Sequence, residues 1–526
     1  MMFEKKKYNG VQEDCEGWRS ITYGDLIKEL VEKYGDRVAA IGEEEEITYE
    51  QLDKMSDNLL GYLLEQGLKK GDIVIMQIPN SLEMLVSLFA LYKGGIVPVM
   101  TLPAHGVYEI GAICDLSEAK GYLCMDTFCH RGCEQVAKEV AKSHSSLKTL
   151  MFGADITREM HEMRKLSDYE KPTYKDMAML LLSGGTTGIP KMIPRTHGDY
   201  IYDNIVIGER CELSKKDVFL SVLPASHNFT LGNPGILGTL YYGGTVVMTD
   251  TVSPMEIFEN VETYQVTYTA MVPAVLGMCI NYRMEDQEED ISSLRFVMTG
   301  GAMLPKEIED KAEDVLGCTL LQIYGTAEGL NTCYRPSDRL TKDSGKQGIP
   351  ISPYDEILIL DEDGNVLPPG KKGAMVTKGP YTISGYYKNP TANETAFTSD
   401  GYYKTGDLAV LNERYELTLM GRCVEQINKG GEKIMPSELE NCIRKSNVIK
   451  DCSVVGIPDQ ELGNLVLAAV ITEDGEISLK EMQEFLKQQG VAKYKWPDKV
   501  LTMKTFPLTA VGKVDKKKIA KVFTGE

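Results

Sequence analysis

Apolar residues recur along this chain in two rhythms. In Tyr49–Gln66, Leu52, Met55, Leu59, Leu60 and Leu63 fall at helical spacing. Asp72–Ile78 reads as a strand, Ser81–Tyr92 as a helix and Ile96–Met100 as a strand. Such alternation, continuing to about residue 170, predicts a doubly wound, mostly parallel sheet. A second series runs from Asp199 to Tyr324, with a helix opening near Asp199 and strands at Val218–Leu223 and Thr245–Met248. From Pro350 to Met420 the helical rhythm stops. Short strands with turn signals at Asp361–Gly364 and Pro368–Gly370 predict a small β-barrel or β-subdomain. After Gly421 the pattern is again mixed α+β.

One stretch breaks both rhythms. The apolar run Met177–Leu182 has the length of a buried strand and empties into Ser183, Gly184, Gly185, Thr186, Thr187 and Gly188. Glycines let backbone N–H groups turn inward onto an anion, where a Cβ would obstruct. The hydroxyls and Lys191 add donors and a positive charge, which is the chemistry of holding a polyphosphate. A plain Gly/Ser/Thr connection explains the glycines equally well, but not the hydroxyls, Pro190 and Lys191 at this spacing. A P-loop requires Gly-Lys-Ser/Thr opening directly into a helix. Here Ile189 and Pro190 follow Gly188, Met192 follows Lys191, and Ile189–Ile193 reads as extended.

Composition narrows the class. At 526 residues the chain predicts three or four compact units. The charged N-terminal MMFEKKKYNG does not read as a secretory signal, and Met84–Met100 is interrupted by Lys93, Gly94 and Gly95, so no membrane span is expected. A net charge of −20 argues against a nucleic-acid partner. From Glu425 onward 16 Lys/Arg face 15 Asp/Glu, whereas the preceding residues carry 41 against 62, which predicts a separate C-terminal unit. The twelve cysteines are scattered and read as reduced thiols of a cytoplasmic protein. Cys124, Cys129, His130 and Cys133 cluster, but without the paired spacing of a zinc site.

Further candidate chemistry follows in order: Thr299-Gly300-Gly301-Ala302 after a strand, Gln322–Gly329 (QIYGTAEG), Tyr403–Leu408 (YKTGDL), Gly421-Arg422, Glu425–Ile434 and Pro507–Lys513 (PLTAVGK). Singly, each reads as ordinary structure; jointly they do not. The series SGGTTGIPK, YGTAE, YKTGDL, GR and PLTAVGK resembles that of the adenylate-forming superfamily of acyl-CoA synthetases, luciferases and nonribosomal peptide adenylation domains. Leu102–His105, Ser226–Phe229, Gln426–Lys433 and the closing PLTAVGKVDKKK are similar to stand-alone aryl-acid AMP ligases of siderophore pathways.

The resemblance implies an α/β fold: a large N-terminal domain (1–421) of two doubly wound sheets plus a small β-barrel, and a smaller, mobile α+β C-terminal domain (422–526). It implies activation of an aryl carboxylic acid, 2,3-dihydroxybenzoate or a relative, by MgATP, then transfer to a phosphopantetheine thiol. Lys191 and Ser183–Gly188 would hold the β,γ-phosphates and Glu328 the Mg²⁺. Gly301, Ala302 and Ile323–Thr326 would line the nucleotide site, with Tyr324 on adenine, Asp407 and Arg422 on ribose, and Lys433 nearby. Lys513 would bridge the attacking carboxylate and the α-phosphate, so Lys513, Lys191 and Glu328 are the catalytic candidates. His227, Asn228, Phe229 and Gly301 would face the acid.

Two departures lie in that pocket. Asn233 replaces the family's small Ser or Cys, and Asn331 its aliphatic residue. If they line the pocket, their amides need partners on the substrate; the alternative is that neighbouring protein satisfies them. Val424 stands where the family's hinge carries Asp or Lys. The chain closes soon after Lys513, so a carrier protein is expected in trans. The alternative acceptor is CoA, although no basic patch suited to its 3′-phosphate is evident. No nucleic-acid or membrane partner is implied.

Overall fold

The computed structural model describes residues 4–525, apart from 129–130, 184–189, 286–287, 339–344, 424–426, 430–431, 460–461, 474, 490, 492 and 510–512. The two series of apolar strands become two sheets. The first has six strands in the order Met192–Thr196, Met177–Leu182, Val97–Met100, Ile73–Gln77, Gly121–Cys124 and Thr149–Met151, parallel except for the first. The second has seven, in the order Thr319–Gln322, Phe296–Thr299, Tyr268–Met271, Val218–Ser221, Thr245–Met248, Val38–Ile41 and Glu46–Thr48, antiparallel only at the last. Ile73–Gln77, Val97–Met100 and Gly121–Cys124 are buried at every position, as strands of a parallel sheet covered on both faces must be.

Helices supply the cover. Tyr49–Glu65 buries Leu52, Met55, Leu59, Leu60 and Leu63 and begins with a Thr48–Gln51 capping box. Leu82–Gly94 is buried at every position but Glu83 and stops at Gly95, which takes the left-handed conformation (φ 62°) that a glycine adopts without strain. Both belong to the largest apolar cluster, which also takes in Phe219, Tyr268 and Phe296 of the second sheet.

From Glu356 to Arg422 the strands Glu356–Leu360, Lys372–Lys378, Tyr403–Leu411 and Leu417–Arg422 form an antiparallel meander. Where strands alone were expected, one short helix, Pro390–Ala396, intervenes, capped by Asn389 and opened by a proline at its first turn. Tyr324–Thr326, Leu330–Cys333 and Ile349–Pro350 make a separate antiparallel sheet. The remaining residues build the strands Ile449–Asp459, Gly463–Thr472 and Lys499–Thr502 with the helices Pro436–Ile443, Leu479–Gln488 and Lys516–Thr524, around two apolar clusters of their own. Among the described residues no helix is long and apolar enough to cross a membrane.

Several boundaries differ from expectation by one or two residues. The helix predicted near Asp199 begins at His197, because Thr196 caps it and Asp199 returns the capping-box bond. The strand beginning at Val218 stops at Ser221, short of Leu223.

Candidate active site

The Gly-rich connection joins antiparallel neighbours, with Met192 opposite Leu182. Gly184, Gly185, Thr186, Thr187 and Gly188 lie outside the described residues, but the neck that holds them is defined. The Ser183 N–H donates to the Lys191 carbonyl at 3.0 Å, and the Lys191 N–H donates to Ser183 Oγ at 3.0 Å. Lys191 Nζ stands 4.6 Å from the centre of the Tyr386 ring, a cation–π contact. The Tyr386 hydroxyl donates to Glu328 Oε1 at 2.8 Å, and Glu328 is buried. Lysine, phenol and carboxylate from three parts of the chain thus meet at one place.

Beside them, the Tyr324 hydroxyl donates to Asp407 Oδ2 at 2.7 Å, and Arg422 Nε pairs with Asp407 Oδ1 at 2.9 Å. Burial, then the neighbouring carboxylate, hold the Tyr324 phenol well above its usual pKa, so it remains a donor. Thr326 Oγ1 and Thr299 Oγ1 are buried without a hydrogen-bond partner among the described residues. Gly301 is exposed at φ +78°, next to exposed Ala302, and Ile323 donates its N–H to the Thr299 carbonyl at 2.9 Å. Gly325 is exposed, and a Cβ there would fall 2.2 Å from Asn331 Oδ1.

His227 caps the short helix Asn228–Gly232, its Nδ1 accepting from the Phe229 N–H at 3.3 Å, which leaves Nε2 as the protonated nitrogen. Burial, with the Lys513 charge adding to it, lowers the His227 pKa to about 4. Lys513 is exposed on a turn closed by the bridge Leu508↔Val514. Phe229 is buried in the main cluster. The Lys433 side chain and Val424 lie outside the described residues.

The two unusual asparagines are both buried, and the Asn331 amide nitrogen finds a protein partner. Asn331 Nδ2 lies 2.9 Å from Asp203 Oδ1 and 2.9 Å from the Asn233 amide; Asn331 Oδ1 has no partner. Sequence reasoning missed what lies behind them. Arg195 is fully buried, with Nε donating to Asp199 at 2.8 Å and Nη1 to the Ala327 carbonyl at 3.0 Å, tying the Gly-rich hairpin to the Glu328 segment. Desolvation raises the Asp203 pKa to about 7, against the opposing pull of Arg195 and Asn331. Charged residues spaced i, i+4, i+8 beside an apolar face were the available signal.

Among the described residues no three His, Cys, Asp or Glu side chains gather to hold a metal. Cys124 and Cys133 are buried, and Cys129 and His130 lie outside the described residues.

An AMP-binding enzyme profile matches residues 27–387, and an AMP-binding enzyme C-terminal domain profile matches residues 438–513. The chain belongs to the AMP-binding, adenylate-forming enzyme family. Within that family its likeness is to aryl-acid AMP ligases. It is 38% identical over 507 residues to 2,3-dihydroxybenzoate-AMP ligase of Bacillus subtilis (strain 168), covering 95% of this chain and 93% of that one. It is 38% identical over 524 residues to salicylyl-CoA synthase / salicylate adenylyltransferase of a Streptomyces species, covering 97% and 95%. The apo structure of Mycobacterium smegmatis MbtA is 33% identical, with a TM-score of 0.75 over 98% of each chain.

Proposed function

We propose that this enzyme activates an aryl carboxylic acid with ATP and passes the acyl group to the phosphopantetheine thiol of a carrier protein in siderophore or nonribosomal peptide synthesis. In the first step a carboxylate oxygen attacks the α-phosphorus and pyrophosphate leaves. In the second a thiolate attacks the acyl carbon and AMP leaves. In the first step the carboxylate is already an anion, so no general base is required there, and the chemistry needs positioning and charge neutralisation; in the second the thiol gives its proton to solvent before it attacks.

The observation that carries the reading is the meeting of Lys191, Tyr386 and Glu328 at one place, with the hydrogen-bonded set Tyr324, Asp407 and Arg422; Lys513 would supply the remaining cation. A cation delivered from the C-terminal unit (422–526) to the acid end of the N-terminal unit (1–421) suits a bridge between attacking carboxylate and α-phosphate. Lys191 and the Ser183–Gly188 connection take the departing phosphates. Asp407 and Arg422 take the ribose, Tyr324, Gly301, Ala302 and Ile323 the adenine, and Lys433 the nucleotide's outer edge. Thr326 Oγ1, buried without a hydrogen-bond partner among the described residues, and the Glu328 carboxylate two residues further along suit Mg²⁺, which binds one or two carboxylates together with substrate phosphates. When bound there, the ion would neutralise charge on the leaving pyrophosphate. The scattered thiols and acidic balance suit a cytoplasmic enzyme without a nucleic-acid or membrane partner.

The test is exchange of pyrophosphate into ATP, driven by a panel of aryl acids, followed by thioester formation on a phosphopantetheinylated carrier or on CoA. Exchange with hydroxylated or heteroaryl acids and acylation of the carrier is the expected result. No exchange with any aryl acid overturns the activation reading; faster transfer to CoA overturns the choice of acceptor.

A further inference from the structure

Helix His197–Arg210 carries Asp203 fully buried behind the acid end. Arg195 Nη2 lies 3.9 Å from Asp203 Oδ2, beyond hydrogen-bond reach, while its Nε is engaged by Asp199. The close partners of Asp203 are amides. Asn331 Nδ2 donates to Oδ1 at 2.9 Å. The Asn233 amide is best satisfied with its nitrogen 3.1 Å from Asp203 Oδ2 and 3.2 Å from the Gly232 carbonyl, and its oxygen 2.5 Å from Asn228 Nδ2, an orientation assigned from the hydrogen-bond pattern. Asn228 Oδ1 in turn accepts from the Tyr200 hydroxyl at 2.8 Å.

This arrangement has a direction. Above the pH of about 7 at which burial makes it titrate, the Asp203 carboxylate is ionised and only accepts, so the nitrogens of both Asn331 and Asn233 turn towards it. Two amide nitrogens 2.9 Å apart repel each other, and the carboxylate they share holds them together. With the Asn233 nitrogen fixed, its oxygen must face Asn228, whose nitrogen turns back to it. Of the two N–H groups on Asn228 Nδ2, Asn233 takes one. The second belongs to a residue that directly follows His227 in the chain.

We propose that Asp203 is a positioning residue of the acid pocket. Acting through Asn233, it turns the Asn228 amide so that one N–H is presented to a hydrogen-bond acceptor on the ring of the aryl acid, a hydroxyl oxygen or a ring nitrogen. Asp203 itself does not touch the acid. The inference rests on the aryl-acid activation proposed above.

Pyrophosphate exchange tests it with 2,3-dihydroxybenzoate, salicylate, a pyridine carboxylate and benzoate, in the full chain and in Asp203→Asn. The unmodified enzyme should favour an acceptor-bearing acid over benzoate. In the isosteric variant kcat/KM for that acid should fall about tenfold through KM for the acid, the factor of one lost hydrogen bond. KM for ATP and kcat/KM for benzoate should hold within about threefold. The exchanged pair Asp203→Asn/Asn331→Asp returns a carboxylate to the same amides and should recover part of the lost preference. No exchange with any aryl acid overturns the activation reading together with this inference. Benzoate used as well as every other acid by the unmodified enzyme overturns this inference alone. So does an equal loss for all acids in Asp203→Asn, a change confined to KM for ATP, or unfolding of both variants, which assigns Asp203 a purely structural role.

Discussion

Lys513 is exposed on its own turn, yet its charge is felt by a histidine nearly three hundred residues earlier. If that lysine serves only adenylation, Lys513→Ala should raise the exchange barrier by about 3 kcal/mol, the cost of a lost electrostatic stabiliser. Transfer from supplied acyl-AMP to the thiol should persist; equal loss in both half-reactions, followed by quenched flow, would refute this. His197 makes a separate prediction. It is fully buried, accepts from the Tyr23 N–H at 3.3 Å, and burial lowers its pKa to about 4. The folded ring stays neutral while the unfolded ring gains a proton near pH 6.5, so its contribution is complete above pH 6.5 and is lost as pH falls towards 4. Urea midpoints over that interval should decline more steeply for the native chain than for His197→Gln, by up to roughly 3 kcal/mol. Legibility at this scale followed motif spacing. Lys191, Glu328, Asp407 and Arg422 were readable because fixed neighbours surround them. Arg195, Asp199 and Asp203 were not, because a buried charge makes sense only with its partner, and the partners Ala327 and Asn331 are more than a hundred residues away.

Elements follow their local chemistry more closely than their apolar rhythm. Thr196 and Asp199 show this: the capping box sets the helix start at His197, two residues before the start expected near Asp199. Thr196→Ala should cost about 1 kcal/mol of stability, read from thermal or urea unfolding. Asp199 also receives Arg195, so the variant should raise KM for ATP as well; unchanged kinetics would separate the cap from the site. The parallel strands were legible because burial on both faces leaves continuous apolar runs. Pro390–Ala396 was not, since seven residues with no buried position carry no helical stripe.

At the level of the molecule, the C-terminal residues hold apolar clusters separate from those of the two sheets. Their connection to the rest runs through the strand Leu417–Arg422 and then Val424, which lies outside the described residues. An enzyme with two half-reactions gains from such independence, because a unit with its own core can turn without repacking. Proline at Val424 fixes φ, so Val424→Pro should impair one half-reaction far more than the other. Wild-type rates in both, measured as exchange and as carrier acylation, would place the hinge elsewhere. The charge step near residue 424 suggested a separate C-terminal unit; how such a unit faces the rest is not written in the sequence, which carries no record of packing between distant segments.

Gly325 lies opposite Asn331 across its hairpin, and a methyl group there would sit 2.2 Å from the Asn331 side-chain oxygen. With the Asn331 nitrogen held by Asp203, that oxygen has little room to retreat. Descent with modification is therefore ordered at this pair: a larger residue can enter position 325 only after position 331 has surrendered its amide. A lineage that acquires the asparagine closes that route behind it, and directed evolution of the pocket must begin at 331.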